Sequence, residues 1–150
     1  MNKKTFFNLI PTLFLLFAFC IGCKNDPEII FIPMKWQLES CSNPAIITTL
    51  SQDPVIDAGG IGELTIRCTN ADKYIISYLF IDGVYVDGED PRYLNLNYHS
   101  GYEDDSIKVL IEENGILKIN VKDNSVKTNY EIRFDGFDYS RGSVYLNLGK

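Results

Sequence analysis

Beyond Cys23 the sequence predicts an all-β fold, an antiparallel sandwich or barrel. Three observations predict it. No window after that cysteine repeats its apolar residues with the helical period, whereas alternation of period two recurs from end to end. Turn signals punctuate the chain at short intervals. Nine tyrosines, nine phenylalanines and many isoleucines favour strand over helix.

The elements follow in order. Ile30 to Pro33 leads into Lys35 to Ser40, where Trp36 and Leu38 share a face. Ser42-Asn43-Pro44 is a turn, Ile46 to Leu50 a short strand, and Asp53-Pro54 a break. Val55 and Ile56 precede Asp57-Ala58-Gly59-Gly60-Ile61-Gly62. A phosphate-cradling glycine loop opens a helix, but a strand follows here, Glu63 to Thr69, so these glycines mark a bend or bulge. Lys73 to Ile81 is apolar on both faces and reads as a central strand covered on both sides. Asp82-Gly83 is a hairpin signal, returning through Val84 to Val86. Arg92 to Tyr98 alternates, with Leu94, Leu96 and Tyr98 inward and Tyr93, Asn95 and Asn97 outward. His99 to Asp105 reads as a loop. Ile107 to Ile111 and Leu117 to Val121 flank a tight turn at Glu112 to Gly115. Tyr130 to Phe134 is a strand, Asp135 to Gly142 a loop, and Val144, Leu146 and Leu148 close the domain.

The N-terminus carries a different message. Lys3 and Lys4 precede a short apolar run from Phe6 to Ile21, interrupted by Asn8, Pro11 and Thr12. That is the build of a secretory signal, and it is shorter than the ~20 apolar residues of a membrane-spanning helix. Its end, Cys20-Ile21-Gly22-Cys23, resembles a bacterial lipobox, with a cysteine at position 20 where leucine is usual. The resemblance implies cleavage before Cys23 and acylation of its sulfur. The other readings are plain secretion with a free Cys23, or an uncut signal anchor. Lys24 stands where an inner-membrane retention aspartate would be. Lys24-Asn25-Asp26-Pro27-Glu28 resembles the acidic export tract of surface lipoproteins. The implied location is the cell envelope, lipid-anchored in the outer membrane. The organisation expected is a signal peptide over 1–22, a tether over 23–34 and one β domain over 35–150.

Removing residues 1–22 takes two lysines and no acid. Lysine plus arginine falls from 14 to 12 against 20 aspartate plus glutamate, a formal charge of −8. An acidic body argues against nucleic acid, which needs a basic footprint. Cys41 and Cys68 remain, and an oxidising compartment allows them to pair. Cys68 alternates with Leu64 and Ile66 and should face inward. Cys41 should face outward unless the strand breaks at Ser40, so a disulfide and two separate thiols both stay open.

From Val55 to Leu148 the layout resembles a BACON domain, an immunoglobulin-like module of secreted and surface bacterial proteins. Asp57-Ala58-Gly59-Gly60, Leu64-Thr65-Ile66, Thr69-Asn70 and Arg141-Gly142-Ser143-Val144 carry the likeness. Tyr74 replaces the family's usual tryptophan, and the terminal glutamine is missing. The resemblance implies an immunoglobulin-like β-sandwich and a non-catalytic accessory module, often linked to glycan use. A small lipocalin-like barrel is the alternative, suited by Trp36-Gln37-Leu38.

Candidate chemistry is sparse. His99 is the sole histidine, no nucleophile elbow accompanies it, and neighbouring Ser100 points to another face. No catalytic residue, cofactor or metal ligand set is assigned, since one histidine and two distant cysteines are too few for zinc. The acids at Asp82, Asp87, Glu89 and Asp90, and at Glu103, Asp104 and Asp105, read as solvated surface charge, with calcium as the alternative if the loops converge. The candidate ligand site is an outward aromatic and amide patch of Tyr93, Asn95 and Asn97, merging with Tyr145 and Asn147 if the two strands are neighbours. Flat rings cover the apolar face of a sugar while amides donate to and accept from its hydroxyls. The expected partners are the membrane, through the anchor, and a glycan or another envelope protein.

Overall fold

The computed structural model describes residues 28–149. Thirteen strands form among the described residues, and no helix. In chain order they are β1 (Ile32–Pro33), β2 (Trp36–Cys41), β3 (Ile46–Thr49), β4 (Val55–Ala58), β5 (Gly62–Cys68), β6 (Tyr74–Ile81) and β7 (Val84–Tyr85). There follow β8 (Tyr93–Leu94), β9 (Gly101–Glu103), β10 (Ile107–Ile111), β11 (Ile116–Val121), β12 (Thr128–Gly136) and β13 (Ser140–Leu148).

They build two sheets. One runs β3-β4-β13-β12-β6-β7 with β1 also on β13, and the other runs β2-β5-β11-β10-β9-β8. The sheets do not close into a barrel, so the sandwich holds and the lipocalin-like alternative does not. The order is immunoglobulin-like: β2-β5-β11-β10 takes the A-B-E-D places, and β13-β12-β6-β7 the G-F-C-C′ places. No disulfide joins the sheets. The core does so instead, with Leu64, Ile66, Leu117 and Ile119 from one sheet and Ile76, Ile132, Val144 and Leu146 from the other, all fully buried. Trp36, Tyr74 and Phe134 meet edge-on and tilted, at centroid distances of 5.8, 5.7 and 5.4 Å.

The Asp82-Gly83 hairpin and the tight turn at Glu112 to Gly115 both form as expected. Asp82 and Gly83 have φ of 49° and 79°, the two left-handed residues of a type I′ hairpin. At the β10–β11 turn Gly115 has φ 72°, and a Cβ there would lie 2.5 Å from the carbonyl oxygens of Cys68 and Ala71.

Several expectations are corrected. The stretch 92–98 is a strand only at Tyr93–Leu94, because Asn95 at φ 56° turns the chain and its carbonyl accepts from Tyr98 and His99 amides. The loop expected over 99–105 contains β9, whose Tyr102 is fully buried opposite Tyr93. The loop expected over 135–142 shrinks to Phe137–Tyr139, since β12 and β13 extend through it. Ile32 and Pro33, placed in the tether, pair in parallel with Ser140 and Arg141 of β13.

Strand β6 is central, but only one of its faces is covered. Ser77 is an extra residue between the pairs Ile76–Phe134 and Tyr78–Arg133, a bulge that reverses the alternation. Tyr74 and Ile76 face inward before it, Leu79 faces inward after it, and Tyr78 is left exposed.

A bulge also decides the cysteines. Glu39 is extra between the pairs Leu38–Ile66 and Ser40–Thr65, so Cys41 comes to lie opposite Leu64, yet stays exposed at the sheet edge. Cys68 lies opposite Trp36, four steps away, ~13 Å at the strand rise of ~3.3 Å. A disulfide spans less than ~7 Å between Cα atoms, and both cysteines are free.

Candidate functional site

The outer face of the larger sheet is the best-formed surface for a ligand. On β12 the inward residues are Tyr130, Ile132 and Phe134, which leaves Glu131, Arg133 and Asp135 outside. On β13 the same alternation leaves Arg141, Ser143, Tyr145 and Asn147 outside. Register aligns these into rows. Tyr145 stands opposite Glu131, Glu131 opposite Phe80, and Phe80 opposite Tyr85. The next row is Ser143, Arg133 and Tyr78.

The rings gather on the β6–β7 side. Tyr85 lies 6.1 Å from Tyr78 and 5.8 Å from Phe80, centroid to centroid. The Arg133 guanidinium lies over Phe80 at 4.9 Å and bonds Glu131 Oε1 from Nε at 2.7 Å. Beside the rings an open cleft of about 370 Å³ is lined by Gln52, Asp53, Tyr78, Arg133, Asp135 and Arg141, among others. Its wall exists because β1 and β4 leave a gap along one edge of β13. Asp53 fills that gap by accepting the Ser143 amide at 3.0 Å, and Arg141 and Asp135 pair at 3.0 Å. Tyr145 completes the row on β13, and burial of its ring, then Glu131, raises its hydroxyl pKa.

The residues picked from sequence divide. Tyr145 is on this face and exposed; Asn147 is beside it, donating from Nδ2 to Asp57 Oδ1 at 2.8 Å. Tyr93 belongs to the other sheet and is buried, so the merged patch does not form. Its ring stacks on His99 at 4.4 Å, and burial pushes its hydroxyl up to about 12. Asn95 and Asn97 lie in the exposed turn after β8, off any strand. Tyr78 could not be read as an outward residue, because unbroken alternation cannot show the Ser77 bulge. Tyr-Leu-Phe-Ile running into Asp-Gly was the available signal.

His99 Nε2 lies 2.9 Å from the Gly88 carbonyl oxygen, which places its proton there, and Ser100 Oγ donates to the Leu94 carbonyl. Most acids of these loops are engaged locally. Asp87 Oδ1 accepts the Glu89 amide, Asp82 Oδ1 the Asn129 amide, and Glu103 pairs with Lys108 and Lys122. Asp90 holds Arg92 at 2.8 Å, and that hydrogen bond lowers its pKa to about 2. Among the described residues no three histidines, cysteines or carboxylates gather to hold a metal ion. Cys23 and the signal peptide expected over residues 1–22 lie outside the described residues.

No protein-family model and no curated protein matches the chain. It is similar to the NMR structure of a protein from Bacteroides thetaiotaomicron, with 18% identity and a TM-score of 0.53, over 86% of this chain and 99% of that one. At that identity the likeness carries the fold and nothing more: an all-β sandwich shared along nearly the whole of the other chain.

Proposed function

We propose that the chain is a lipid-anchored, non-catalytic binding module of the bacterial outer membrane, and that the outer face of its larger sheet takes a glycan. One observation carries the reading. Tyr85 stands exposed in the row that ends at Tyr145, and exposed Tyr78 stands in the next row, beside an open cleft bearing Gln52, Asp53, Arg133 and Arg141. The row from Tyr85 to Tyr145 crosses three strand spacings, ~14 Å, enough for several sugar rings. Rings cover the apolar faces of a sugar, and the carboxylate, amide and guanidinium groups meet its hydroxyls. The face is built on paired strands, so little ordering cost falls on binding. The partial resemblance to BACON modules points the same way.

A glycan-array screen of soluble residues 24–150 tests this. The expected result is binding that Tyr78→Ala and Tyr145→Ala each weaken at least tenfold, while Tyr98→Ala leaves it unchanged. Binding indifferent to both variants would move the site off this face.

A second reading, a lipoprotein that binds an envelope protein, is favoured by β3. It is an uncharged edge strand with Ile47 exposed and Leu50 exposed just beyond. Such edges accept a strand from a partner. No array binding, together with a pull-down partner lost in Ile47→Lys, would select it.

A further inference from the structure

The end of the sandwich at which the folded body begins, at Phe31, carries apolar side chains with no partner strand or sheet over them. Phe137 and Tyr139, in the turn between β12 and β13, are 68% and 62% exposed, and neighbouring Ile32 is 50% exposed. The pairing of β1 with β13 brings these together, and the Ile32 amide donates to the Tyr139 carbonyl at 3.0 Å. Phe31 lies against the Arg141 guanidinium at 3.3 Å. Tyr139 holds φ at 64°, a left-handed position where three-residue hairpins favour glycine. A large ring is therefore kept where the backbone disfavours one and where it packs on nothing in the core.

The charges at this tip are already spent. Asp138 Oδ1 accepts from the Ser140 amide and hydroxyl, and Asp135 pairs with Arg141. Farther round, Phe137 and Tyr98 share a shallow depression with three acids, Asp72, Glu112 and Glu113, and one base, Lys73, with Glu112 paired to Lys118 at 2.9 Å, so the rim stays net acidic. That rim disfavours an acidic partner and a grip on anionic headgroups. It leaves the aromatic groups as the contact.

Chain length says what lies opposite. The folded body begins at Phe31, eight residues after Cys23. Eight residues reach at most ~29 Å when fully extended, so an acylated Cys23 keeps this end within that distance of the bilayer. Aromatic side chains with one polar atom concentrate at the interfacial layer of membranes.

We infer that the β12–β13 turn, with Phe31 and Ile32 beside it, rests in the headgroup layer of the membrane that holds Cys23. The inference rests on the lipid-anchor reading. The occupant is a lipid interface of largely zwitterionic character, and the contact is apolar and aromatic. The far end of β12, at Thr128, then points away from the membrane, and the exposed sheet face opens sideways.

The test uses the full lipidated chain, recovered from bacterial membranes and reconstituted in phosphatidylethanolamine–phosphatidylcholine vesicles containing brominated lipid. Tryptophan is introduced by Phe137→Trp, by Tyr139→Trp, and by Val126→Trp at the opposite end; buried Trp36 gives a common background. The expected result is quenching at 137 and 139 several-fold greater than at 126, unchanged in 0.5 M salt on the apolar-contact argument. Equal quenching at all three sites, in protein that floats with the vesicles, would overturn the contact while leaving the anchor intact. Failure to float would refute the anchor itself, and the contact with it.

Discussion

Asp104 shows how much one side chain can organise. Its Oδ1 accepts the amides of Ser106 and Ile107, both at 2.9 Å, which closes the turn from β9 to β10. Its Oδ2 accepts the hydroxyls of Tyr130 at 3.0 Å and Tyr102 at 3.3 Å, one from each sheet. Tyr130 sits near the start of β12, the place of the tyrosine corner in immunoglobulin folds. Here a carboxylate replaces the backbone acceptor. Asp104→Ala strands two phenols and two amides, and hydrogen bonds to a charged group contribute ~1.5–3 kcal/mol each before solvent screening. Because the group is partly exposed, a loss of about 2–3 kcal/mol in all is expected, with Asp104→Asn losing about half. Urea unfolding followed by Trp36 emission measures it; equal midpoints for all three proteins would show that water replaces the carboxylate at no cost.

At the scale of elements, the close approach of β1 to β13 has its own residue requirement. A Cβ at Gly142 would lie 2.8 Å from Met34 Cβ and 3.2 Å from its Sδ. Met34 is buried, and its amide donates to the Arg141 carbonyl at 2.8 Å. Gly142→Ala should therefore push β1 away at a cost of ~1–3 kcal/mol, the range for overpacking. Faster hydrogen exchange at the Met34 amide is the expected sign, and unchanged protection there would mean the methionine simply rotates aside.

The same scale shows what sequence could and could not reveal. Strands with clean alternation, such as β10, β11 and the end of β13, were legible because each has one apolar face and a regular ladder. The parity of β6 was not, because one extra residue exchanges the faces without changing composition. Tyr93 was misplaced for a related reason: the alternation through 92–98 is genuine, but Asn95 in a left-handed conformation ends the strand after two residues. Two of the five residues of the predicted ligand patch, Tyr145 and Asn147, thus share the outer face of the larger sheet. The rest needed the sheet order, which spacing along a chain does not contain.

For the whole molecule, the tyrosines divide into two populations. Burial raises the hydroxyl pKa of Tyr93 to about 12 and those of Tyr74, Tyr102 and Tyr130 further. A phenol with a raised folded pKa favours the folded state while neutral. That contribution is complete below the unfolded value of ~10 and is lost as pH rises through the folded values. Stability should hold up to about pH 10 and fall steeply by pH 12. Absorbance at 295 nm should show these four rings ionising only together with the shift in Trp36 emission. Ionisation of all nine tyrosines ahead of that shift would contradict the burial.

The last strand binds the first ones. Asp53 reaches Ser143, 90 residues later, and β1 and β4 both pair in parallel with β13. Contacts so distant along the chain form late, since the loop must close before they reward it. The larger sheet therefore stays incomplete until the final nine-residue strand has been made. Nothing near the leading end of the chain can lock into the finished sheet while the C-terminus is still being synthesised.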